Sequence, residues 1–438
     1  MKPTALSVAI TLLLALCVFP GNGTSQVTQS QINTANDLFQ AGKFAEAGKL
    51  YGQIAAQNPE NESAAVYLGH IALLANQLDE AQKWLQKAIA LKPDDAEAKI
   101  MLAEVFYRRD DFAKAAGILG EIGPKYAEII GQYATLNQVK LASFSGKIPY
   151  EIEGRGEITR LRFEKIDPLP VVNVRVNGSR EVTFFIDTGG AEVALDTDFT
   201  KELGIKSLGA VQGTFAGGQH ADVQNGRIDS LTLGDWTIKN LPVGMLPLRQ
   251  LSQDLGVKQI DGILGTNVLY HFLSTLDYPH TELVLRRKTS KNLAAFQAAT
   301  SGKTVAVPIW MAGDHFMVGW GQVETIPPTL LFVDTGLAGA GVKLAESVIR
   351  RAGIKLQEDK ATEGAGGGGK LRIVPYVVKQ VSFGEIKEEN VAGLYDGPFP
   401  WETAFGFHLA GMVGHDFFKP YAVTFDFEGM RIFLQQKF

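Results

Sequence analysis

The chain has 438 residues, of which 45% are hydrophobic and 20% charged, so it is too long for one ordinary domain and too apolar to be disordered. Its 42 basic and 47 acidic residues leave a formal net charge of -5 with no block of like charge, which excludes an electrostatic binder of nucleic acid or anionic lipid. We therefore expect two or three folded units and no nucleic-acid partner.

Residues 1–24 differ in composition from the rest of the chain. Lys2 precedes an apolar run from about residue 5 to residue 19, and the run ends in the small and turn-forming residues 20–23. This order is typical of a secretory signal peptide, and the run is shorter than the roughly 20 apolar residues of a membrane span. An uncleaved anchor is the alternative. We expect an exported protein, periplasmic or secreted, with no stable membrane insertion after signal cleavage.

The cysteine content limits the chemistry of the mature chain. Cys17 is the only cysteine and lies inside the predicted signal peptide. Leu16 is bulkier than the small residue expected before a lipidated cysteine, which disfavours a lipid anchor at Cys17. Cleavage near Gly23 would leave no cysteine, and so would exclude disulfides and thiol chemistry.

The sequence of residues 30–125 repeats itself at a fixed spacing, with a period of about 34 residues. Equivalent apolar positions recur at this spacing: Phe44, Leu78 and Phe112; Ala47, Ala81 and Ala115; Tyr51, Leu85 and Leu119. Each unit predicts two helices around a turn, with an alanine where the helices approach closely. The segment resembles about three tetratricopeptide repeats, which implies an all-α solenoid.

The repeats have two interpretations. A solenoid can recruit a protein partner or a substrate, or it can simply space and solubilise the rest of the chain. The sequence favours neither. Residues 126–160 follow the repeats, and we interpret them as a packing helix and a linker.

From about residue 158 the sequence changes to short apolar runs separated by Gly, Pro, Asn and Asp. Val171 to Val176, Asn177-Gly178 and Val182 to Ile186 predict a β-hairpin, because Asn-Gly supplies the positive φ angles of a tight turn. Similar punctuation continues to the C-terminus. This half is therefore predicted to be mainly β.

The triplet Asp-Thr-Gly occurs twice, each time after an apolar run: Asp187-Thr188-Gly189 and Asp334-Thr335-Gly336. One such triplet is a weak signal, because these residues often form a turn after a strand. An apolar-apolar-Gly motif follows each aspartate at nearly the same distance along the chain, as Ile263-Leu264-Gly265 and Met412-Val413-Gly414. A glycine-rich hairpin tip lies between the two motifs of each half. Residues 161–290 and 291–438 therefore look like an internal duplication.

This doubled pattern resembles the pepsin and retropepsin clan of aspartic proteases, and its local motifs are most similar to retropepsin-like bacterial proteins. The resemblance implies a mainly-β bilobal aspartic-protease fold behind the solenoid, with no metal and no cofactor. It implies these site residues: Asp187 and Asp334 as the catalytic pair; Thr188, Gly189, Thr335 and Gly336 as support for the catalytic loops; and Gly217, Gly218, Gly366 and Gly367 as flap-like substrate contacts.

Paired carboxylates explain the implied chemistry. Two carboxylates about 3 Å apart cannot both ionise, so they share a proton; one deprotonates a water while the other polarises the scissile carbonyl. The implied function is an aspartic endopeptidase that binds an extended polypeptide between its lobes. One chain carries both aspartates, so we expect a monomeric catalytic unit. The alternative is a non-catalytic peptide-binding or scaffold protein with a degenerate protease-like fold.

Two features depart from the pepsin pattern. Gly190 and Leu337 follow the triplets, where pepsin-like enzymes usually carry Ser or Thr, and neither glycine-rich tip contains a tyrosine. Fewer hydroxyl donors stabilise the ionised carboxylates less, so we expect the pair to titrate higher. The activity optimum should then be less acidic than that of pepsin.

Several other motifs are given structural interpretations. Gly364, Gly366 and Gly369 satisfy a dinucleotide-binding pattern, but the residues that follow predict a strand instead of a helix. The seven histidines include no H-E-x-x-H motif, which disfavours a zinc protease. Asp277 and Asp426 stand at the same offset after the two motif glycines, and we interpret them as strand-end residues. We interpret residues 286–288, a basic run, as a solvated face.

Overall fold

A computed structural model describes residues 28–122, 128–254 and 258–436. The predicted signal peptide at residues 1–24, with Cys17, lies outside these residues. None of the helices in the described ranges is long and apolar enough to cross a membrane.

The N-terminal part of the described chain is helical, as predicted. Three antiparallel helix pairs are followed by one further helix: α1 (Gln29–Gln40), α2 (Phe44–Gln57), α3 (Glu62–Leu74), α4 (Leu78–Leu91), α5 (Ala96–Tyr107), α6 (Phe112–Ile122) and α7 (Glu128–Ala142). The alanines that recur at the repeat period are fully buried where the helices cross. Asn61 and Asp95 occupy equivalent positions in successive repeats, and each caps the helix that follows it with a side-chain oxygen.

The remainder is mainly β, which confirms the predicted fold class. The elements up to the second triplet are β1 (Glu151–Glu153), β2 (Ile158–Arg162), β3 (Val171–Val176), β4 (Val182–Ile186), β5 (Val193–Asp196), α8 (Thr197–Glu202), β6 (Ala210–Thr214), β7 (His220–Leu233), β8 (Trp236–Leu246), α9 (Leu248–Asp254), β9 (Gly262–Leu264), α10 (Thr266–Tyr270), β10 (Phe272–Asp277), β11 (Glu282–Arg287), α11 (Ser290–Ala299), β12 (Thr304–Ala312), β13 (Phe316–Val323) and β14 (Thr329–Asp334). The elements after it are β15 (Val342–Leu344), α12 (Glu346–Arg351), β16 (Thr362–Gly366), β17 (Gly369–Phe383), β18 (Ile386–Tyr395), β19 (Leu409–Gly414), α13 (His415–Phe418), β20 (Tyr421–Asp426) and β21 (Arg431–Gln436).

Two sheets form the lobes. Lobe 1 is the sheet in the order β1-β8-β5-β9-β4-β3-β7-β6, and lobe 2 contains β16-β17-β18-β15-β19-β14-β13-β12. The lobe 2 sheet continues through β21-β20-β10-β11-β2, so strands from both halves form a shared base. At the centre of the base, β10 pairs with β20, and the hydroxyls of Thr275 and Thr424 lie 2.7 Å apart. The base therefore extends the lobe 2 sheet with strands from both halves of the chain, whereas the lobe 1 sheet is separate.

The segment predicted as a packing helix and linker is more ordered than a linker. It contains α7 and then two short strands, of which β1 pairs with β8 and β2 pairs with β11. The chain thus contributes to both the lobe 1 sheet and the base before it reaches the first triplet. The sequence analysis missed these strands because they are short and lie at sheet edges.

The solenoid is packed against the β region along one edge. Its within-repeat turns contain Gly42, Asn76 and Asp110, which occupy equivalent positions in the three repeats. Gly42 lies against Leu330, the Asn76 amide donates to the carbonyl of Phe427 at 2.9 Å, and Asp110 bonds to His271 at 3.1 Å. The turn edge of the repeats therefore contacts both halves of the β region.

Candidate active site

Each Asp-Thr-Gly triplet stands at the end of a central strand. Asp187 follows β4 and Asp334 ends β14, and each of these strands pairs in parallel with the apolar-apolar-Gly strand of its own half. Beyond that strand, the amide of Thr266 donates to the carbonyl of Gly190 at 2.9 Å. In lobe 2 the amide of Gly414 donates to the carbonyl of Gly341 at 2.8 Å. The apolar-apolar-Gly segments thus hold the loops that follow the aspartates.

The two triplets interlock through their threonines. The amide of Thr188 donates to the hydroxyl of Thr335 at 3.1 Å, and the amide of Thr335 donates to the hydroxyl of Thr188 at 3.0 Å. The Thr188 hydroxyl also donates to the carbonyl of Val333 at 3.0 Å. Both threonines are fully buried. These bonds fix each aspartate loop relative to the other.

The interlock brings the two carboxyl groups together. The carboxyl groups of Asp187 and Asp334 lie close enough for each to change the pKa of the other. Asp187 also accepts from the amide of Gly189 at 2.7 Å, and Asp334 accepts from the amide of Gly336 at 2.8 Å. A Cβ on Gly189 would lie 2.6 Å from a carboxylate oxygen of Asp334, so only glycine allows this approach.

Both carboxyl groups hold a proton more tightly than a free aspartate. Burial raises the pKa of Asp187, although the amide of Gly189 partly offsets this effect. Burial also raises the pKa of Asp334 well above its usual range, and the negative charge of Asp187 raises it further. A closely spaced, buried pair of carboxyl groups titrates as a unit that keeps one proton while it loses the other.

The predicted flap-like glycines lie at two hairpin tips that meet. Gly217 and Gly218 are in the tip between β6 and β7, and Gly366 and Gly367 are at the tip between β16 and β17. The side-chain amide of Gln219 donates across the gap to the carbonyl of Lys370 at 2.9 Å. Each lobe therefore supplies one hairpin tip to a shared contact.

The turn between β12 and β13 was not singled out in the sequence. In this turn Asp314 pairs with His315, with 2.7 Å between Oδ1 and Nδ1. A protonated His315 would lower the pKa of Asp187, against the larger effect of burial. No motif spacing marks these two residues, so only the fold could reveal them.

A cavity of about 120 Å³ lies between the solenoid and the loop after Asp187. Its polar wall residues include Glu104, Tyr107, Lys140, Glu192 and Asp314. Glu192 accepts from the Tyr107 hydroxyl and from the Lys140 ammonium, each at 2.8 Å. Lys140 and Glu192 are each only 10% exposed, so this pair is a buried link between the solenoid and lobe 1.

One cluster has the donor types of a metal site. Ligand atoms of Asp167, His415 and Asp416 lie within 4.8 Å of one another. The ammonium of Lys419 lies 2.5 Å from Asp167 and 2.8 Å from Asp416. A cation of the protein already stands between the two carboxylates, so this arrangement does not support a metal site.

The remaining motifs from the sequence lie in hairpins, at strand ends and against aromatic rings. The segment from Gly364 to Gly369 forms the hairpin of β16 and β17, with no helix after it. Asp277 accepts from the amide of His280 at 3.1 Å, and Asp426 accepts from the amide of Gly429 at 2.9 Å. The basic run at 286–288 is not a solvated face. Its side chains bond to Thr275 and to backbone carbonyls, and they cover the aromatic rings of Phe296, Trp236 and Tyr270.

Comparison with known proteins agrees with this organisation. The aspartyl protease family matches residues 172–268, and two tetratricopeptide repeat families match residues 38–99 and 75–124. The N-terminal helices are therefore similar to tetratricopeptide repeats, and part of the β region is similar to the aspartyl protease family. The aspartyl protease match includes Asp187 and the first apolar-apolar-Gly motif.

The chain is similar to a retropepsin-like aspartic protease from Rickettsia conorii, with 19% identity over 32% of this chain and 95% of that chain. The TM-score of 0.23 is too low to support an argument about function. No curated protein matches the chain.

Proposed function

We propose that the chain is an aspartic endopeptidase in which Asp187 and Asp334 activate a water for peptide-bond hydrolysis. The observation that supports this most is the pair of interlocked loops, which holds the two buried carboxyl groups close together. The singly protonated pair has both a base for water and an acid for the scissile carbonyl. This chemistry requires no metal and no cofactor.

The substrate in this proposal is an extended polypeptide bound between the lobes. The hairpin tips of the two lobes touch, so they must separate before a polypeptide enters the space between them and the carboxyl pair. Each tip is a β-hairpin, and an extended substrate can bond to such a hairpin through its main chain. Because one chain supplies both aspartates, the proposed catalytic unit is a monomer.

We also propose that the repeats recruit a protein partner or substrate and that the protein is exported. The repeats contact the β region through the turns that contain Gly42, Asn76 and Asp110. The helix faces that point away from the β region are not needed for this contact. A protein partner or substrate can then be recruited on those faces. Export to the periplasm or beyond follows from the predicted signal peptide alone.

The proposal is tested by digestion of a peptide library from about pH 3 to about pH 8. Wild type should cleave, whereas Asp187→Asn and Asp334→Asn should each lose about 10³- to 10⁴-fold in kcat, because either change removes the shared-proton pair. Asp198→Asn is the matched control, because the exposed side chain of Asp198 bonds to Lys201 in its own helix, away from the carboxyl pair.

Two outcomes separate the candidates. A statine-type transition-state mimic should inhibit wild type if the mechanism is correct. Peptide binding without cleavage at any pH would instead favour the non-catalytic peptide-binding protein. The absence of tyrosine from both hairpin tips is the feature that favours this second candidate.

A further inference from the structure

A buried lysine lies on the same face of the lobe 2 sheet as Asp334. Lys343 in β15 pairs with Met412 in β19, and Met412 pairs with Phe332 in β14. Directly paired residues point to the same face, and side chains two residues apart on a strand share that face. Asp334 is two residues beyond Phe332, so Lys343 and Asp334 share a face. The positive charge of Lys343 is also among the effects that lower the pKa of Asp334, against the larger effect of burial.

Lys343 forms a buried ion pair with unused hydrogen-bonding capacity. Its ammonium lies 2.5 Å from the carboxylate of Asp396, and the two side chains are only 2% and 3% exposed. Within the described residues, neither the ammonium nor this carboxylate oxygen has a further hydrogen-bond partner. An ammonium has three donors, so donors of Lys343 are left without a hydrogen-bond partner in the described part of the chain.

The backbone of Asp396 lies next to the hairpin tip of lobe 1. A Cβ added to Gly217 would be 2.7 Å from the carbonyl oxygen of Asp396. A Cβ on Gly397, the next residue, would be 3.4 Å from the carbonyl oxygen of Gly217. Asp396 therefore connects the tip of one lobe to the catalytic face of the other.

Lobe 1 has no such ion pair at the equivalent positions. Ala194 in β5 pairs with Ile263, as Lys343 pairs with Met412. The position equivalent to Asp396 is held by Leu246. Val193 pairs with Val243, three residues before Leu246, just as Val342 pairs with Gly393, three residues before Asp396. Lobe 1 instead has an apolar cluster on this face, which includes Phe185, Ile260 and Ile263.

We propose that Lys343 and Asp396 form a specificity pocket for a carboxamide side chain, glutamine or asparagine, of the peptide substrate. This inference rests on the proposed peptidase function and goes beyond it by naming a preferred residue. A carboxamide accepts from the Lys343 ammonium through its oxygen and donates to the Asp396 carboxylate through its nitrogen. It adds no net charge to a pair that is already neutral.

Other side chains fit the pair less well. A charged side chain would leave one charge of the buried group uncompensated. An apolar side chain would leave the free donors and acceptors without partners, and polar sites reject such analogues strongly. Glutamine should therefore exceed leucine in kcat/KM by about 10- to 100-fold at one substrate position.

The test compares wild type with the double variant Lys343→Met/Asp396→Leu on peptides that differ only in glutamine, leucine, glutamate or lysine at each position. The double change removes both charges together, so neither remains buried alone. The glutamine preference at one position should disappear or reverse to leucine. The control Glu346→Leu/Arg350→Met removes an exposed ion pair of the same lobe and should keep the wild-type preference. Thermal unfolding checks that both variants fold.

The outcomes separate this inference from the proposed function. An unchanged glutamine-to-leucine ratio in the folded double variant, with cleavage intact, would overturn the specificity pocket alone. If wild type cleaves no peptide, the peptidase proposal fails, and the same peptides are then titrated against Asp187→Asn by fluorescence anisotropy. Asp187→Asn should bind the glutamine peptides more tightly than the leucine peptides, and the triple variant Asp187→Asn/Lys343→Met/Asp396→Leu should lose this difference; that result would still support the pocket. Equal or absent binding would overturn it.

Discussion

Lobe 1 and lobe 2 present their aspartates with the same backbone bonds, since Gly189 and Gly336 each donate to the aspartate two residues earlier. Away from these loops the lobes differ. The hydroxyl of Thr266 donates to the carbonyl of Thr188 at 2.9 Å, whereas the equivalent His415 in lobe 2 is fully buried with neither ring nitrogen hydrogen-bonded in the described chain. The two halves thus share the backbone bonds to the aspartates, but they differ in the residues that surround the aspartate loops.

The solenoid also contacts the two lobes through different kinds of side chain. It holds lobe 2 through Arg108, whose guanidinium donates to the carbonyls of Met311 at 2.9 Å and Gly313 at 2.6 Å. It holds lobe 1 through Glu192, which bonds to Tyr107 and Lys140. Arg108 thus adds a forked cation to the lobe 2 contacts made by the repeat turns, and Glu192 adds bonds to two side chains on the lobe 1 side.

The largest stability effect should come from Arg108→Met. Arg108 is 6% exposed and also bonds to Glu104 and to the carbonyl of Leu73. The change leaves buried carbonyls and the Glu104 carboxylate without their cation, so the free energy of unfolding should fall by about 3 to 5 kcal/mol. Denaturant unfolding measures the loss.

Two further variants make the Arg108 result specific. Arg108→Lys should recover little of the loss, because one ammonium cannot reproduce the forked contacts of a guanidinium. Arg109→Met removes the adjacent, more exposed arginine and should change the free energy of unfolding by only about 0.5 kcal/mol. Equal losses for Arg108→Met and Arg109→Met would show that the forked contact to lobe 2 is unimportant.

A smaller effect should distinguish the two interlocking threonines. The hydroxyl of Thr188 makes two of the bonds between the loops, with Thr335 and Val333, whereas the hydroxyl of Thr335 makes one, with Thr188. Thr188→Val should therefore cost about 2 to 4 kcal/mol of unfolding free energy, and Thr335→Val about 1 to 2 kcal/mol. Denaturant unfolding of both variants gives the comparison.

The threonine comparison has its own control and its own refutation. Thr232→Val removes a partly buried hydroxyl that bonds to Thr237 in lobe 1, away from the loops, and should cost about 0.5 kcal/mol. Thr335→Val costing more than Thr188→Val would mean that the interlock is carried mainly by lobe 2.

The sequence predicts what depends on local or repeated patterns. The repeat period predicts the helices, and the doubled triplet predicts two equivalent halves, because both signals lie within short segments. The docking of the solenoid is different, since Asn76 meets the carbonyl of Phe427 from a distant part of the chain. No pattern at either residue reveals that contact. The roles of Asp187 and Asp334 stay predictions until activity is measured.

Some features left a weaker signal that the sequence analysis did not use. Lys343 stands between Val342 and Leu344, and a charge inside a short apolar strand indicates a buried partner. Its partner Asp396 follows β18, far along the chain, and cannot be identified without the fold. The interpretation of residues 286–288 as a solvated face is wrong. Charge alone does not show that the apolar stems of arginine and lysine can pack over aromatic rings.

The smallest effect concerns the pH dependence of stability. Burial raises the pKa of both aspartates, and the charge of Asp187 adds to the rise at Asp334. A raised pKa in the folded state favours folding at low pH, and that contribution is lost as pH rises through the folded pKa. Asp334→Asn stays uncharged throughout, so its Tm should exceed that of wild type by about 2 to 4 °C at about pH 7 and should equal it at about pH 4.

The same measurement sharpens the comparison of the lobes. Because the pKa of each aspartate is raised and the two carboxyl groups titrate together, Asp187→Asn should also give a gain in Tm at neutral pH. Asp198→Asn is the control of opposite sign, since the hydrogen bond from Lys201 lowers the pKa of Asp198, and its loss should give no gain at neutral pH. No gain in Tm for either variant at neutral pH would contradict the raised pKa values of the carboxyl pair.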